Sequence, residues 1–136
     1  MAGTNNAVSN FSSGVPCDQL WRFKLVAYNM HGFSQGAPMV RDLIRDISPD
    51  MFFIQEHWLT PANMSKFDFM FRDYFTFGSS AMSSSVETGI LRGRPFGGVA
   101  IVVNNRLQQY TRTICASERY VIVKIDKFIF VNVYLP

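Results

Sequence analysis

The sequence predicts an α+β domain in which strands and helices form packed layers. Its 136 residues suit one domain rather than two. An amphipathic helix pattern lies between two short apolar runs, an order typical of layered strand–helix–strand units. Aromatic residues make up 15% of the chain, which favours a β-rich interior. With 48% hydrophobic and 17% charged residues, the composition excludes intrinsic disorder for the body of the chain.

The first three predicted elements are a strand, a helix and a second strand. Residues 22–28 are a short β-prone run. Residues 37–47 repeat apolar side chains at the spacing of one helix face, and Pro38 suits the first turn of that helix. The helix is expected to end before Pro49, because the residue preceding a proline avoids the α region. Residues 51–55 are then predicted to form a strand that is buried on both faces.

The middle of the chain carries weaker signals. Thr60 followed by Pro61 is typical of a helix start, so a short helix is expected over residues 61–66. The aromatic segment 67–77 predicts a strand near its end. Residues 78–93 are rich in serine and glycine, and this composition predicts a loop.

The C-terminal part of the chain is predicted to be a series of strands. A strong strand covers residues 98–103, and a weaker one covers residues 107–114. Residues 119–125 and 128–134 predict a hairpin that turns at Asp126. Because both faces of the last strand are largely apolar, we expect it to lie in the centre of its sheet.

The N-terminal segment and the cysteines bear on the location of the protein. Residues 1–20 predict a flexible polar tail, without the basic start and apolar stretch of a secretory signal. No apolar run approaches the roughly 20 residues needed to cross a bilayer, so neither secretion nor a membrane partner is expected. Cys17 and Cys115 lie far apart, which argues against a zinc cluster or a disulfide framework and suits reduced intracellular thiols.

The positive charge is concentrated in one part of the chain. The net charge is +3, and four arginines but no carboxylate lie between Thr88 and Ser117. Two of them, Arg92 and Arg94, belong to a glycine-containing loop that matches neither a Walker sequence nor a GxGxxG sequence. This loop could contact the phosphates of a nucleic acid, or it could be a turn with ordinary solvated charges.

Polar side chains follow two of the predicted strands. Asn29 comes after the first strand and could orient a phosphate or a carboxylate, although an asparagine in a turn is the simpler explanation. Glu56 ends a buried strand, where a carboxylate is costly unless it is paired or bound to a metal. A single carboxylate with water in the remaining positions is one way in which proteins hold Mg²⁺. The alternative is a Glu56 that simply faces solvent.

Two further residues have both a chemical and a structural interpretation. His57 could act as a base or a metal ligand, but a single histidine is more often a hydrogen-bonded neighbour. Tyr134 lies on the same face as Asn132 at the end of the last strand, where its hydroxyl could bond a phosphate oxygen. The alternative for Tyr134 is a core position with a satisfied hydroxyl.

Taken in order, four segments resemble motifs of the endonuclease/exonuclease/phosphatase family, which includes pancreatic deoxyribonuclease and apurinic/apyrimidinic endonucleases. They read Tyr-Asn-Met-His-Gly at 28–32, Phe-Ile-Gln-Glu at 53–56, Gly-Gly-Val-Ala-Ile at 97–101 and Val-Asn-Val-Tyr-Leu-Pro at 131–136. The segment Gln-Glu-His-Trp-Leu at 55–59 is most similar to the endonuclease domains of LINE-type non-LTR retrotransposons.

The resemblance implies a fold and an activity. The fold would be a four-layer α/β sandwich, with two packed mixed β-sheets flanked by helices. The activity would be Mg²⁺-dependent phosphodiester hydrolysis, most consistent with a DNA endonuclease of the retrotransposon type. The resemblance also implies DNA as the partner, Mn²⁺ as an alternative metal and no small-molecule cofactor. It further implies a nuclear or other intracellular location, and a reverse transcriptase domain on the full-length polypeptide.

The resemblance also implies roles for individual residues. Glu56 would be the Mg²⁺ ligand, and Asn29 would position the scissile phosphate and support the metal site. Tyr134 would contact the phosphate. His31 stands where many relatives carry asparagine or aspartate, so a second acidic side chain is not supplied there.

The resemblance covers residues 24–136 and only the first half of the family's domain. The sequence lacks the later Gly-Asp-x-Asn and Ser-Asp-His motifs, which in the family carry the water-activating aspartate and the charge-stabilising histidine. We therefore expect residues 21–136 to be a truncated, N-terminal half of such a domain, inactive on its own. Two alternatives stay open. One is a non-catalytic remnant or binding module of the same fold, and the other is a phosphatase or phospholipid phosphodiesterase.

Overall fold

The computed structural model describes residues 21–89 and 93–135, and these form an α+β fold in which two packed β-sheets are flanked by helices. The predicted fold class is confirmed, and the tail predicted over residues 1–20 lies outside the described residues. The strands are β1 Leu25–Asn29, β2 Met51–Gln55, β3 Tyr74–Ser79, β4 Val99–Asn104, β5 Thr111–Ala116, β6 Tyr120–Ile125 and β7 Phe128–Val133. The helices are α1 Phe33–Ile47, α2 Lys66–Met70 and α3 Ser83–Glu87, with 3₁₀ turns at Pro61–Asn63 and Asn105–Tyr110.

The larger sheet is mixed and the smaller sheet is antiparallel. The larger sheet has the order β1-β2-β4-β3, with β1 and β2 parallel and the other pairs antiparallel. The smaller sheet has the order β5-β6-β7, and both of its pairs are antiparallel. The difference follows from the connections. Helix α1 provides the crossover that a parallel pair requires, whereas β6 and β7 are joined by a tight turn at Asp126 and Lys127.

Two apolar cores hold these layers together. The first lies between the larger sheet and the helices α1 and α2, and the second lies between the two sheets. Strand β2 contributes to both cores, because Phe52 and Ile54 pack towards the helices while Met51 packs towards the smaller sheet. Burial on both faces therefore explains the continuous apolar run of β2, as predicted.

Helix α1 begins at Phe33, well before the predicted start. Its first turn is held by the chain that follows β2. The backbone N–H groups of Gly32 and Phe33 donate to the carbonyl oxygens of Glu56 (2.8 Å) and His57 (2.9 Å). Because these hydrogen bonds are long-range, the local sequence carries no signal for this helix start. Pro38 lies in the second turn of α1 rather than in the first. No helix in the described part of the chain is long and apolar enough to cross a membrane.

Three other predicted boundaries are wrong. The helix expected over residues 61–66 is divided between a 3₁₀ turn and α2. The serine-rich stretch 78–93, predicted as a loop, contains α3. The strand expected over residues 107–114 begins only at Thr111, because the residues before it form a 3₁₀ turn that is capped by the side chain of Asn104.

Strand β7 lies at the edge of the smaller sheet and not at its centre, which corrects the prediction. It pairs with β6 on one side, and no strand among residues 21–89 and 93–135 pairs with its other side. Its outward face carries Ile129, Val131 and Val133, all of which are exposed. Apolar residues on both faces are typical of a central strand, but here the outward set faces solvent within the described structure.

Candidate active site

The carboxyl ends of β1 and β2 meet at one edge of the larger sheet, and polar side chains lie there. Because β1 and β2 are parallel, Asn29 at the end of β1 is paired with Gln55, and Glu56 follows directly. The end of β7 reaches the same edge, where the hydroxyl of Tyr134 donates a short hydrogen bond to Oε1 of Glu56. The structure thus brings together the three residues that the sequence singled out as Asn29, Glu56 and Tyr134.

The carboxylate of Glu56 is surrounded by groups that favour its charged form. The hydrogen bond from Tyr134 has the largest effect and lowers the pKa of Glu56, while partial burial opposes it. Nδ1 of His31 lies 3.4 Å from Oε2 of Glu56, and hydrogen bonds from His31 and Asn29 lower the pKa further. In turn, the carboxylate raises the pKa of the Tyr134 phenol. At neutral pH the site therefore holds an ionised Glu56 and a protonated Tyr134.

The backbone at this edge is held in an uncommon conformation. His31, Glu56 and Trp58 have φ values of 48°, 52° and 56°, in the left-handed region that side chains of this size rarely adopt. Hydrogen bonds from Gly32 N to Glu56 O (2.8 Å) and from Trp58 N to Gly97 O (2.9 Å) fix this conformation. Local strain of this kind persists only where the surrounding structure enforces it, and it is frequent at functional sites.

A pair of amide side chains, Asn132 and Gln55, joins the two sheets next to the site. Asn132 is buried, and its Nδ2 donates to the carbonyl oxygens of Ile54 and Ala100, at 2.9 Å each. Its Oδ1 accepts a hydrogen bond of 2.6 Å from Nε2 of Gln55. These bonds fix β7 against β2 and β4 close to Tyr134, and so hold the Tyr134 hydroxyl in place. In the sequence, the only signal of this role is one polar residue within an apolar strand.

His57 is a structural residue, which agrees with its interpretation as a hydrogen-bonded neighbour. Its ring is buried, Nδ1 accepts from the N–H of Leu59 (3.0 Å), and Nε2 donates to the carbonyl oxygen of Ser79 (3.1 Å). Burial lowers the pKa of His57 to about 4, so the ring is neutral. The ring also explains a glycine, because Gly98 has a φ of 88° and a Cβ there would collide with the His57 ring.

A cleft of about 450 Å³ opens beside Glu56 and Tyr134. It is also lined by Trp58, Phe96 and Arg119, to which the sequence motifs assigned no role. Trp58 belongs to the Gln-Glu-His-Trp-Leu segment, so that segment contained a signal for it. Phe96 reaches the cleft through the pairing of β4 with β2, and Arg119 reaches it through the packing of the two sheets. No local sequence pattern reports either of these contacts.

The arginine-rich stretch is divided between several places. Arg94 is exposed and lies outside the group of residues that line the cleft. Arg92 lies outside the described residues. Arg106 forms an ion pair with the buried carboxylate of Asp50. Arg112 lies opposite Lys124 in the register of strands β5 and β6. Arg106 therefore has a structural partner, and Arg94 is the described member of the predicted basic loop.

The described residues offer one carboxylate and one amide oxygen to a metal ion at this edge. Glu56 supplies the carboxylate, and the Oδ1 of Asn29 accepts from the backbone N–H of His31 at 3.0 Å. Within residues 21–89 and 93–135 there is no cluster of three or more His, Cys, Asp or Glu suited to a metal. Mg²⁺ takes one or two carboxylates and leaves its other positions to water and phosphate, so this donor set fits Mg²⁺ better than zinc.

Comparisons with known proteins bear on the fold. No family model matches the chain, and no curated protein sequence matches it. Among solved structures, the chain is similar to the 3′ phosphatase NExo from Neisseria bound to a product DNA hairpin (TM-score 0.59, 18% identity, 83% of this chain and 41% of that chain). It is also similar to an AP endonuclease from Archaeoglobus fulgidus (TM-score 0.60, 18% identity, 85% and 42%). A further similar structure is the AP endonuclease LMAP from Leishmania major (TM-score 0.62, 13% identity, 84% and 40%).

These similarities concern three-dimensional structure and only part of each neighbour. The chain spans about two-fifths of the length of the solved structures that it matches. TM-scores of 0.59 to 0.62 establish a shared fold, while sequence identities of 13% to 18% leave the activity to be argued from the site. The chain therefore has the α/β sandwich fold of the nucleases and phosphatases that these structures represent.

Proposed function

We propose that this chain carries the metal-binding part of a phosphodiesterase that acts on DNA. The observation that carries the proposal is the ionised carboxylate of Glu56, which lies where β1, β2 and β7 meet and accepts a hydrogen bond from Tyr134. The Neisseria protein of the same fold is bound to a product DNA hairpin, and two other neighbours are AP endonucleases. These neighbours support DNA as the class of substrate.

In this proposal each residue of the edge has a distinct task. Glu56 holds Mg²⁺, with Mn²⁺ as the alternative, and Asn29 supplies a second oxygen close by. A metal held there would supply positive charge that neutralises the phosphate. The amide of Asn29 donates to the scissile phosphate. The single proton of the Tyr134 hydroxyl is donated to Glu56 in the structure, and it would be donated to the phosphate when Glu56 binds the metal. Arg94, in the segment before β4, and Arg92 contact phosphates of the DNA backbone.

The finer proposal is a DNA endonuclease of the retrotransposon type, with residues 21–136 as the N-terminal half of its catalytic domain. It rests on the segment 55–59 and on the coverage of about two-fifths of the matched structures. A reverse transcriptase domain on the full-length polypeptide and a nuclear location follow from that type.

The chain alone is expected to lack turnover, because hydrolysis also requires a group that activates water. Glu118 is the other carboxylate that lines the cleft. It accepts hydrogen bonds from the backbone N–H (3.2 Å) and hydroxyl (2.7 Å) of Ser84, so it is engaged elsewhere. The engagement of Glu118 with Ser84 also favours a second candidate function, a non-catalytic DNA-binding module.

The first prediction tests the metal site through the Glu56→Gln variant. Glutamine keeps the size of the side chain but removes the charge, so we expect Mn²⁺ affinity to fall by more than about tenfold, with the melting temperature little changed. Mn²⁺ binding is measured by electron paramagnetic resonance, and cleavage by relaxation of supercoiled plasmid against Mg²⁺ concentration. Glu87→Gln changes an exposed carboxylate on α3 and should bind Mn²⁺ as the wild type does.

The outcomes separate the candidate functions. Equal Mn²⁺ affinity in the wild type and in Glu56→Gln would place the metal elsewhere and remove the basis of the proposal. Binding of metal and DNA without plasmid relaxation would favour one of two interpretations. Either the chain is part of a catalytic domain and needs the remainder of that domain for turnover, or it is a binding module. Relaxation by the wild type that is lost in Glu56→Gln would show that the chain is catalytic on its own, contrary to our expectation.

A further inference from the structure

The cleft beside Glu56 has an aromatic side in addition to its ionic one. Trp58, Pro95 and Phe96 line it together with Arg119. Phe96 is 52% exposed and lies in the segment just before β4. Large aromatic side chains gain free energy when they leave water, so two of them in an open cleft indicate a surface that a ligand covers.

The ring of Trp58 is fixed in advance of any ligand. Its backbone is left-handed, with a φ of 56°, and its N–H donates to the carbonyl oxygen of Gly97 at 2.9 Å. The ring packs on Gly32, where a Cβ would lie only 2.7 Å from Cε3 of Trp58. The centroid of the His31 ring lies 4.7 Å from that of Trp58. A ring that is already held in place loses little conformational entropy when a second planar group stacks on it.

The volume of the cleft fits one nucleotide, and its lining combines the cation Arg119 with the carboxylates of Glu56 and Glu118. Its volume of about 450 Å³ is within the range of sites that hold small ligands. Arg119 supplies positive charge for a phosphate, while Trp58 and Phe96 supply apolar faces for a base. A base within a duplex is stacked on its neighbours and cannot present its face to a protein side chain, so this arrangement requires an unpaired nucleotide.

We propose that this cleft binds an unpaired nucleobase of single-stranded DNA, stacked on Trp58 and Phe96, with the adjoining phosphate at Arg119. The inference rests on the proposed function for the choice of DNA as the ligand, and it adds a preference for unpaired over fully paired DNA. Trp58 and Phe96 select the structure of the DNA and not its sequence, because every base has a face that can stack.

The test measures DNA binding in the presence of EDTA, so that neither metal nor cleavage contributes. The fluorescence anisotropy of a short labelled single strand is compared with that of the same strand in a duplex. We expect tighter binding of the single strand, and about five- to one-hundredfold weaker binding of that strand by Trp58→Ala, the range for the loss of one stacked base. Trp58→Phe should retain most of the affinity, because it keeps a ring.

Two further variants and one control make the test independent of folding defects. Phe96→Ala should also weaken single-strand binding, and this exposed ring contributes little to the core. Phe69 is 77% exposed on α2, outside the cleft, and Phe69→Ala should leave binding unchanged. In Trp21→Phe, Trp58 is the only tryptophan of the chain, so its fluorescence should be quenched when single-stranded DNA is added.

The results test the stacking site and the metal site separately. Equal affinity for single strand and duplex, or unchanged binding by Trp58→Ala and Phe96→Ala, would overturn the stacking site and leave the metal proposal standing. Normal Mn²⁺ binding by Glu56→Gln would refute the metal proposal and leave the stacking site standing. If Trp58→Ala does not fold, then Phe96→Ala and the fluorescence of Trp21→Phe decide.

Discussion

Two histidines neighbour Glu56, His31 in space and His57 along the chain, and they differ in burial and in hydrogen bonding. The side chain of His31 is largely exposed, and its Nδ1 lies near the carboxylate of Glu56. His57 is buried, with one ring nitrogen accepting and the other donating a hydrogen bond. The sequence does not separate the two, because each stands within or next to a polar motif at a strand end. At the scale of single residues, burial and hydrogen bonding therefore assign their roles.

The buried His57 should make the protein less stable in mild acid. Its pKa in the folded protein is about 4, against an ordinary value of 6.5, so the unfolded chain binds a proton that the folded chain excludes. The stability that depends on neutral His57 is complete above about pH 6.5 and is lost as the pH falls towards about 4, by about 3 kcal/mol. The measurement is the free energy of unfolding in denaturant at a series of pH values.

Two variants serve as controls for this pH dependence. His57→Gln removes the titrating group and should flatten the curve between these pH values, although it lowers the stability at every pH. Gln109→Ala changes an exposed side chain that does not titrate and should leave the slope as it is in the wild type. If His57→Gln keeps the wild-type slope, other groups set the acid sensitivity and the assignment of His57 is wrong.

At the scale of elements, the parts of the fold with a local cause were predictable. Strands β2 and β4 follow from their apolar runs, and the β6–β7 hairpin follows from alternation around Asp126, whose φ of 51° suits a tight turn. The start of α1 was not predictable, because the backbone N–H groups of Gly32 and Phe33 donate to the carbonyl groups of residues 56 and 57, which follow β2 in the sequence. A sequence window that contains the helix does not contain those partners.

The candidate site was likewise predictable from the sequence only in part. Asn29 and Glu56 could be singled out because each follows a predicted strand, and parallel pairing brings such positions together. Tyr134 meets them only because β7 of the other sheet ends at the same edge. Phe96 comes to the cleft through the pairing of β4 with β2, whereas Arg119 comes from the segment before β6 and meets Glu56 only through the packing of one sheet on the other.

The contact between the two sheets should depend on Asn132. In Asn132→Leu, the carbonyl oxygens of Ile54 and Ala100 and the Nε2 of Gln55 lose a hydrogen-bond partner while they stay largely shielded from water. Buried polar groups without a partner cost about 1–3 kcal/mol. We therefore expect the free energy of unfolding in denaturant to fall by about 2–3 kcal/mol.

A double variant shows whether the lost stability belongs to this pair of side chains. Gln55→Leu combined with Asn132→Leu removes both amides, so the double variant should lose less stability than the sum of the two single variants. Strict additivity would mean that the two amides act independently and that the hydrogen bond between Gln55 and Asn132 contributes nothing to the contact between the sheets.

At the scale of the whole molecule, the layers are covered unequally. The larger sheet has helices on one face and the smaller sheet on the other. Within residues 21–89 and 93–135, the outward face of the smaller sheet carries exposed apolar side chains. That face presents Tyr120, Ile122, Ile129, Val131 and Val133, and β7 has a free edge within the described structure.

This open face should make the protein self-associate, because apolar strands at a free sheet edge pair readily with other copies. We expect the mass measured by sedimentation to rise with protein concentration, and Val131→Lys to shift the protein towards the monomer. The melting temperature should be kept, since Val131 is 49% exposed and gives up little buried contact. Met39→Lys adds the same charge at the same 49% exposure on α1, and it should leave association unchanged. A protein that stays monomeric at every concentration would contradict the prediction. Equal relief by both variants would show that net charge, and not the face of β7, controls association.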